Sequence, residues 1–414
     1  MNNLELFCYN LVKKNPVVKT VVRNIYQSFF DLMPDHPNYF YSEPKVFEGC
    51  YFGFHDQDPI SRDGSKVLCN KLTIALRMPT IEDHLDLGYW YGENNEKWCK
   101  IAETHAWNYH KGCRLQWVDD TRVIFNSVND GKLGSTICDT KDKSQQKLSY
   151  PIDSVSHDAK FATSFAYGRL QQMMPGYGYV IAEEDEDIKS LCPASSGLYV
   201  IDLEKNTRRV LVTLSDIKNF EHTDDMDDAY HFVTHTLFSY DDRYVSCLHR
   251  WYSSKVRMTR LLIYDLQTGK LMALPTDGMV SHYVWNTKNQ IVAYCRIKGI
   301  DSHAFFSVPD MTYKRVGYPE LNSDGHQSFI NDEEFVTDTY PDRHRYAKLY
   351  VVNVNTNKVT QIGDVKSLKK FQSPSDYKHW CCDLHPRYDK TLKMVCFDSV
   401  HTGKRSLCLM KYPK

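Results

Sequence analysis

"LFSYDDRYVSCLHR", residues 237–250, sets two acidic residues between a short apolar run and a longer one. Asp241 and Asp242 are turn formers, whereas Tyr244, Val245, Cys247 and Leu248 suit a pleated, buried strand. The stretch predicts a β-hairpin, and its form recurs. The other copies are "DPISRDGSKVLCNKL" (58–72), "LQWVDDTRVIFNSV" (115–128), "DSVSHDAKFATSFA" (153–166), "YVWNTKNQIVAYCR" (283–296), "SFINDEEFVTDTY" (328–340) and "PRYDKTLKMVCFDS" (386–399). Third runs ending in an acidic or amide turn follow several of them: "YVIDLEKNT" (199–207), "LLIYDLQTGK" (261–270) and "LYVVNVNTNK" (349–358). "RSLCLMKY" (405–412) reads as a last strand.

Seven β-units without intervening helices predict an all-β fold, a seven-bladed β-propeller over residues 49–414. Two unrelated β-sandwiches would not share one hairpin pattern along the chain. Residues 1–48 read as a helical extension. Within it Val18, Val21, Val22, Ile25 and Phe29 fall at helical spacing between Pro16 and Pro34. The polar face of this amphipathic helix is only weakly basic, so the helix is expected on the propeller body rather than on a membrane. A long insertion, "QQMMPGYGYVIAEEDEDIKSLCPASSG" (171–197), is expected after blade three, either rimming a pocket or solvated.

The bulk numbers narrow the function classes. Lys plus Arg number 51 and Asp plus Glu 52, so no global field favours nucleic acid or an anionic membrane. No run of 18 apolar residues predicts a membrane span. Of 13 cysteines, Cys69, Cys247, Cys295, Cys396 and Cys408 lie in apolar runs as small buried hydrophobes, and no C-x-x-C pair occurs. With no secretory pattern at the start, a cytoplasmic setting is expected. Nucleotide-binding and serine-hydrolase motifs are absent. "DDMDDAY" (224–230) lacks the Gly and closing Glu of a calcium loop and reads as a solvated acidic loop.

Aligning the hairpins exposes a register three residues before the bulky residue ahead of each turn. Blades four to seven place His235, His282, His326 and His385 there. Blade two places Arg114, and blades one and three Gln57 and Ile152. With 17 His in 414 residues, seven such slots would hold roughly 0.3 His by composition. First strands of a propeller line its channel, so these positions converge at one end. Either they merely satisfy buried water, or the four imidazoles with Asp383 form a mixed nitrogen–oxygen field suited to Mn²⁺, Zn²⁺ or Fe²⁺.

"VSHYVW" (280–285), "DGHQSF" (324–329) and "DLHPRY…VCFDSVHTGKRSL" (383–407) resemble the oligogalacturonate lyase family, seven-bladed propeller polysaccharide lyases that bind a divalent metal, typically Mn²⁺. The resemblance is clearest over residues 230–414. "GFHDQDP" (53–59), "AWNYHKGCRLQW" (106–117) and "GRLQQMMPGYGY" (168–179) look like a bacterial subgroup associated with glycan synthesis. The resemblance implies that His326 binds metal and that His385 matches the second histidine of the family's H-P-H motif. The first falls on Asp383, an anionic replacement. The family's glutamine ligand falls on Trp380, which cannot ligate, and His282 is the expected substitute.

Such lyases remove the proton alpha to a uronate carboxylate and expel a 4-linked sugar. The partner implied is therefore an acidic oligosaccharide or polysaccharide. The resemblance implies an arginine base after the blade-four hairpin, matched by Arg260. Because a guanidinium is a poor base, Arg260 is equally suited to clamp a carboxylate, and Arg250, His235 and His249 are rivals for the base. Arg169, Arg114 and Arg387 are candidate carboxylate binders, and Tyr177 and Tyr179 candidate sugar-stacking or proton-donating groups. His105, Trp107 and His110 lead into blade two and are placed near the same mouth. A non-catalytic propeller in glycan assembly, or a metal-dependent hydrolase or epimerase, are the other readings.

Overall fold

Short strands with one buried face need partners on both sides, and antiparallel hairpins supply them at the lowest cost in connecting chain. In the computed structural model, which describes residues 30–181, 187–253, 256–308, 310–373 and 379–413, the recurring units form seven antiparallel sheets. Their spans are 50–104, 116–148, 154–213, 230–273, 280–316, 328–366 and 387–411. The fold is a seven-bladed β-propeller. Most of the expected amphipathic helix, residues 17–33, lies outside the described residues.

The hairpin turns share one chemistry. Ser239 Oγ donates to Asp241 (2.7 Å) and accepts from the Tyr244 amide (2.9 Å), and Asp242 takes a left-handed φ of 57°. Ser156, Asp158 and Ala159 (φ 59°) repeat the arrangement, as do Ser61, Asp63 and Gly64 (φ 73°). The local side-chain bonds replace water on the turn's backbone, which is why Ser, Asp and Asn punctuate every unit.

Faces of neighbouring blades bury separate apolar clusters between them. Leu261 and Ile263 of blade four meet Ile291, Ala293 and Cys295 of blade five, all fully buried. Each such aliphatic side chain contributes about 1.5–3 kcal/mol by leaving water. Cys69, Cys247, Cys295, Cys396 and Cys408 are buried in these clusters as expected.

Two details extend or shift the expected organisation. Lys45–Glu48 pairs with Ser406–Lys411 as the outermost strand of blade seven, and Tyr39–Phe40 adds a fifth strand to blade six. The sheets therefore reach back to Tyr39, ahead of residue 49. The long insertion lies inside blade three, between Phe161–Ser164 and Gly197–Asp202, rather than after it. It contains the helix Tyr167–Met173. Among the described residues no helix is long and apolar enough to cross a membrane.

A candidate metal centre in the channel

The register histidines meet. Ring centroids of His282 and His326 are 4.0 Å apart, those of His326 and His385 4.2 Å, and those of His235 and His282 6.3 Å. His235 and His385 both adopt left-handed backbone (φ 54° and 43°), as does Arg114 of blade two (φ 59°). The pairing register of blade four slips between Thr234 and Leu237. Such strained positions turn a side chain out of the strand's alternation and toward the axis.

Blade one contributes a histidine that the register misses. Its inner strand ends at Tyr51, and the chain bends at Gly53 (φ 109°), where a Cβ would stand 2.8 Å from the Lys111 carbonyl carbon. This bend brings Phe54 and His55 into the ring and leaves Gln57 farther along the channel. Phe54 lies at the centre, 4.8–6.0 Å from the rings of His235, His282, His326 and His385. His55 is 5.3 Å from His326. The Phe and His of "GFHDQDP" were legible as residues, but the bend that shifts them by two was not.

Hydrogen bonds set the tautomers. Nδ1 of His326 faces both oxygens of Asp338 (2.9 and 3.1 Å), which also accepts from the amides of His326 (2.6 Å) and His385 (3.0 Å). His282 Nδ1 faces Asp324 (3.3 Å), and His55 Nδ1 donates to the Gln327 carbonyl (2.6 Å). Each leaves Nε2 with its lone pair, the arrangement in which an outer carboxylate orients a metal-binding imidazole. One ligand atom each from His326, Asp383 and His385 lies within 4.8 Å of the others.

Electrostatics follow from burial. Burial, then His326, holds His282 and His385 well below the usual imidazole range, so both are neutral donors. Burial works against His326 too, but Asp338 overturns it and raises that ring. Burial lifts Asp383 to about 6, against the pull of His326.

The other half of the ring is ionic. Asp153, beside the register position Ile152, accepts from Lys111 Nζ (2.8 Å) and lies 3.0 Å from Arg114 Nε. Arg114 also forms a two-pronged pair with Asp56 (2.9 Å each). Below this plug, a cavity of about 530 Å³ opens at the hairpin end, lined by Gln57, Asp58, Trp117, Tyr240 and Asp389 among others.

Several candidates spend their donors on the fold. Arg114 is saturated by Asp56 and Asp153. Arg387 bonds the carbonyls of Phe54 and Gly53 and the carboxylate of Asp398. Arg169 bonds the carbonyls of His231, Asp187, Ser190 and Leu191, tying the insertion to blade four. Arg260 donates to the carbonyls of Glu221 and Ile217 and to His249, whose other nitrogen meets His231. Tyr179 stacks on Tyr167 and accepts from Asn126. His105 stands near His84 instead of the ring, and Trp107 donates to the Asp83 carbonyl.

Three candidates do face the cluster. His235 belongs to the ring, its Nδ1 against Thr234 Oγ1 (2.9 Å). Arg250 is 3% exposed, donates to the Met174 sulfur, leaves Nε unpaired and has no ion pair among the described residues. Burial, aided by Arg257, drops its guanidinium to about 9. Tyr177 lies flat on His110 (4.5 Å, 9°), and His110 Nδ1 is 3.8 Å from Asp383. Sequence reasoning did not assign Asp338, Asp324 or His379 to the site. Asp338 stands at the end of blade six's second strand, Glu334–Asp338, beside His326.

No family model and no curated protein sequence matches the chain. Solved structures do. An oligogalacturonate lyase from Vibrio parahaemolyticus superposes with a TM-score of 0.62 at 11% identity, covering 90% of this chain and 97% of that one. An oligogalacturonate lyase in complex with manganese gives 0.65 at 14% identity, covering 92% and 99%. Likeness at this identity establishes a shared fold.

Proposed function

We propose that the chain is a metal-dependent lyase acting on a uronic-acid-containing oligosaccharide, with His326, Asp383 and His385 as metal ligands and His282 completing the set. The carrying observation is the His326–Asp383–His385 cluster, with the buried Arg250 near enough to act on His282 and His235 and without an ion pair among the described residues. Two neutral imidazoles, a third oriented by Asp338 and a carboxylate are compatible with Mn²⁺, Zn²⁺ or Fe²⁺. Among these, the fold shared with a manganese-bound oligogalacturonate lyase favours Mn²⁺.

A divalent cation there supplies Lewis-acid neutralisation of a uronate carboxylate, acidifying the adjacent C–H. Arg250 is the base in this reading rather than Arg260. It lies on Tyr244–Ser253, the strand directly after the blade-four hairpin, and its depressed guanidinium exposes a lone pair within reach of mildly alkaline pH. It takes the proton alpha to the carboxylate, the C–H pair becomes the new C=C, and the C–O bond to the 4-linked sugar breaks. Tyr177, which burial keeps protonated, gives its proton to the departing oxygen.

The test is incubation with oligogalacturonate and related uronides, read by ultraviolet absorbance of the conjugated product. New reducing ends without that absorbance would instead identify a hydrolase.

A further inference from the structure

Beyond the first cluster, the geometry points to a second, thiolate-bearing cation site built from His110, His379 and Cys381, taking Zn²⁺. One ligand atom from each lies within 4.8 Å of the others. Cys381 Sγ is 3.8 Å from both His110 Nε2 and His379 Nδ1, and the two ring nitrogens face each other. In a tetrahedral zinc site with bonds of about 2.1–2.3 Å, donors stand about 3.5 Å apart. The two Sγ–N separations are already near that value.

The surroundings hold this set in place from three sides. Tyr177 covers the His110 ring, and the His110 amide donates to Asn108 Oδ1 (3.0 Å). At Gly176 (φ 90°) a Cβ would stand 2.7 Å from His379 Cβ, so the glycine of the "PGYGY" turn is what lets that histidine close on the site. Arg405 donates to the carbonyls of Trp380 and Cys381, fixing the segment that carries the thiol. His110 is buried at 1% exposure and turns Nδ1 toward Asp383, leaving Nε2 for the second ion. Asp383 of the first cluster thus lies 3.8 Å from a ligand of the second.

The donor chemistry separates the two. Two imidazoles and a thiolate form a soft set that favours Zn²⁺, whereas His326, Asp383 and His385 form a harder one.

Co²⁺ titration of the full chain, stripped with chelator and kept reduced, tests this. Wild type should develop a thiolate-to-cobalt charge-transfer band that Zn²⁺ displaces. Cys381→Ser should remove the band and weaken Zn²⁺ binding at least about tenfold. His326→Ala should keep the band, which distinguishes failure of the first cluster from failure of this one. Absence of the band in wild type, its persistence in Cys381→Ser, or its loss in His326→Ala would each overturn a separate second site.

Discussion

Asp153→Asn removes one charge from the ionic half of the ring while preserving its shape. Asp153 is fully buried and serves Lys111 Nζ (2.8 Å), Arg114 (3.0 Å), and the amide and hydroxyl of Thr236 (2.7 and 3.0 Å). Arg114 keeps Asp56, but Lys111 loses its only salt bridge among the described residues. Uncompensated buried charge of this kind costs about 3–5 kcal/mol. Adding Lys111→Met removes the stranded ammonium, so the double variant should be more stable than the sum of the singles by about 1–3 kcal/mol. Burial alone would raise the Asp153 carboxyl, but Arg114 and Lys111 outweigh it and hold the group at about 2, below the ordinary 3.8. Its ionisation therefore contributes about 2 kcal/mol that is fully present above pH ~4 and lost as pH falls through ~2. Urea unfolding followed by tryptophan fluorescence reads both effects. The gap between wild type and Asp153→Asn should hold from neutral pH to about 5 and narrow toward pH ~3. A variant within about 1 kcal/mol of wild type, or a gap indifferent to acid, would refute the network's role.

Mn²⁺ at about a hundred times its dissociation constant should stabilise the protein by about 2.7 kcal/mol in thermal unfolding. His326→Ala and Asp383→Ala should each abolish that shift. Asp338→Ala should weaken metal binding about 10–100-fold, measured by calorimetry, because it frees the His326 ring. Arg250→Ala should eliminate formation of unsaturated product, and the wild-type rate should climb with pH toward a break near 9, where the guanidinium loses its proton; a flat profile over that range would exclude Arg250 as the base. Gly53→Ala should lower stability by roughly 1–3 kcal/mol, read by the urea midpoint, since its left-handed φ and the nearby Lys111 backbone leave no room.

The propeller was legible because its turns are chemical. Ser239, Asp241 and Asp242 announce a hairpin from residue type alone, and the same logic repeats at Ser156 and Ser61. Four imidazoles of the ring were legible for the same reason, since equal offsets from equal turns land on one circle. His55 was not, because an early strand end and one left-handed glycine moved it two places. The strands at Tyr39–Phe40 and Lys45–Glu48 are too short to show a period. The arginines were the least legible. Sequence reports a cation but not its partner, and Arg114, Arg169, Arg260 and Arg387 proved to be tied to carbonyls and carboxylates of the fold, while Arg250 stood free of them. His110, His379 and Cys381 come from connections outside the repeating unit, where no register applies.

The Phe54 plug and the ionic knot beside it make the axis a cul-de-sac. A sugar chain cannot thread from one face of the disc to the other, so whatever reaches the imidazoles must leave by the way it came. For the acidic oligosaccharide proposed above, a blocked axis of this kind selects the tip of a polymer or a short fragment over the interior of a long strand.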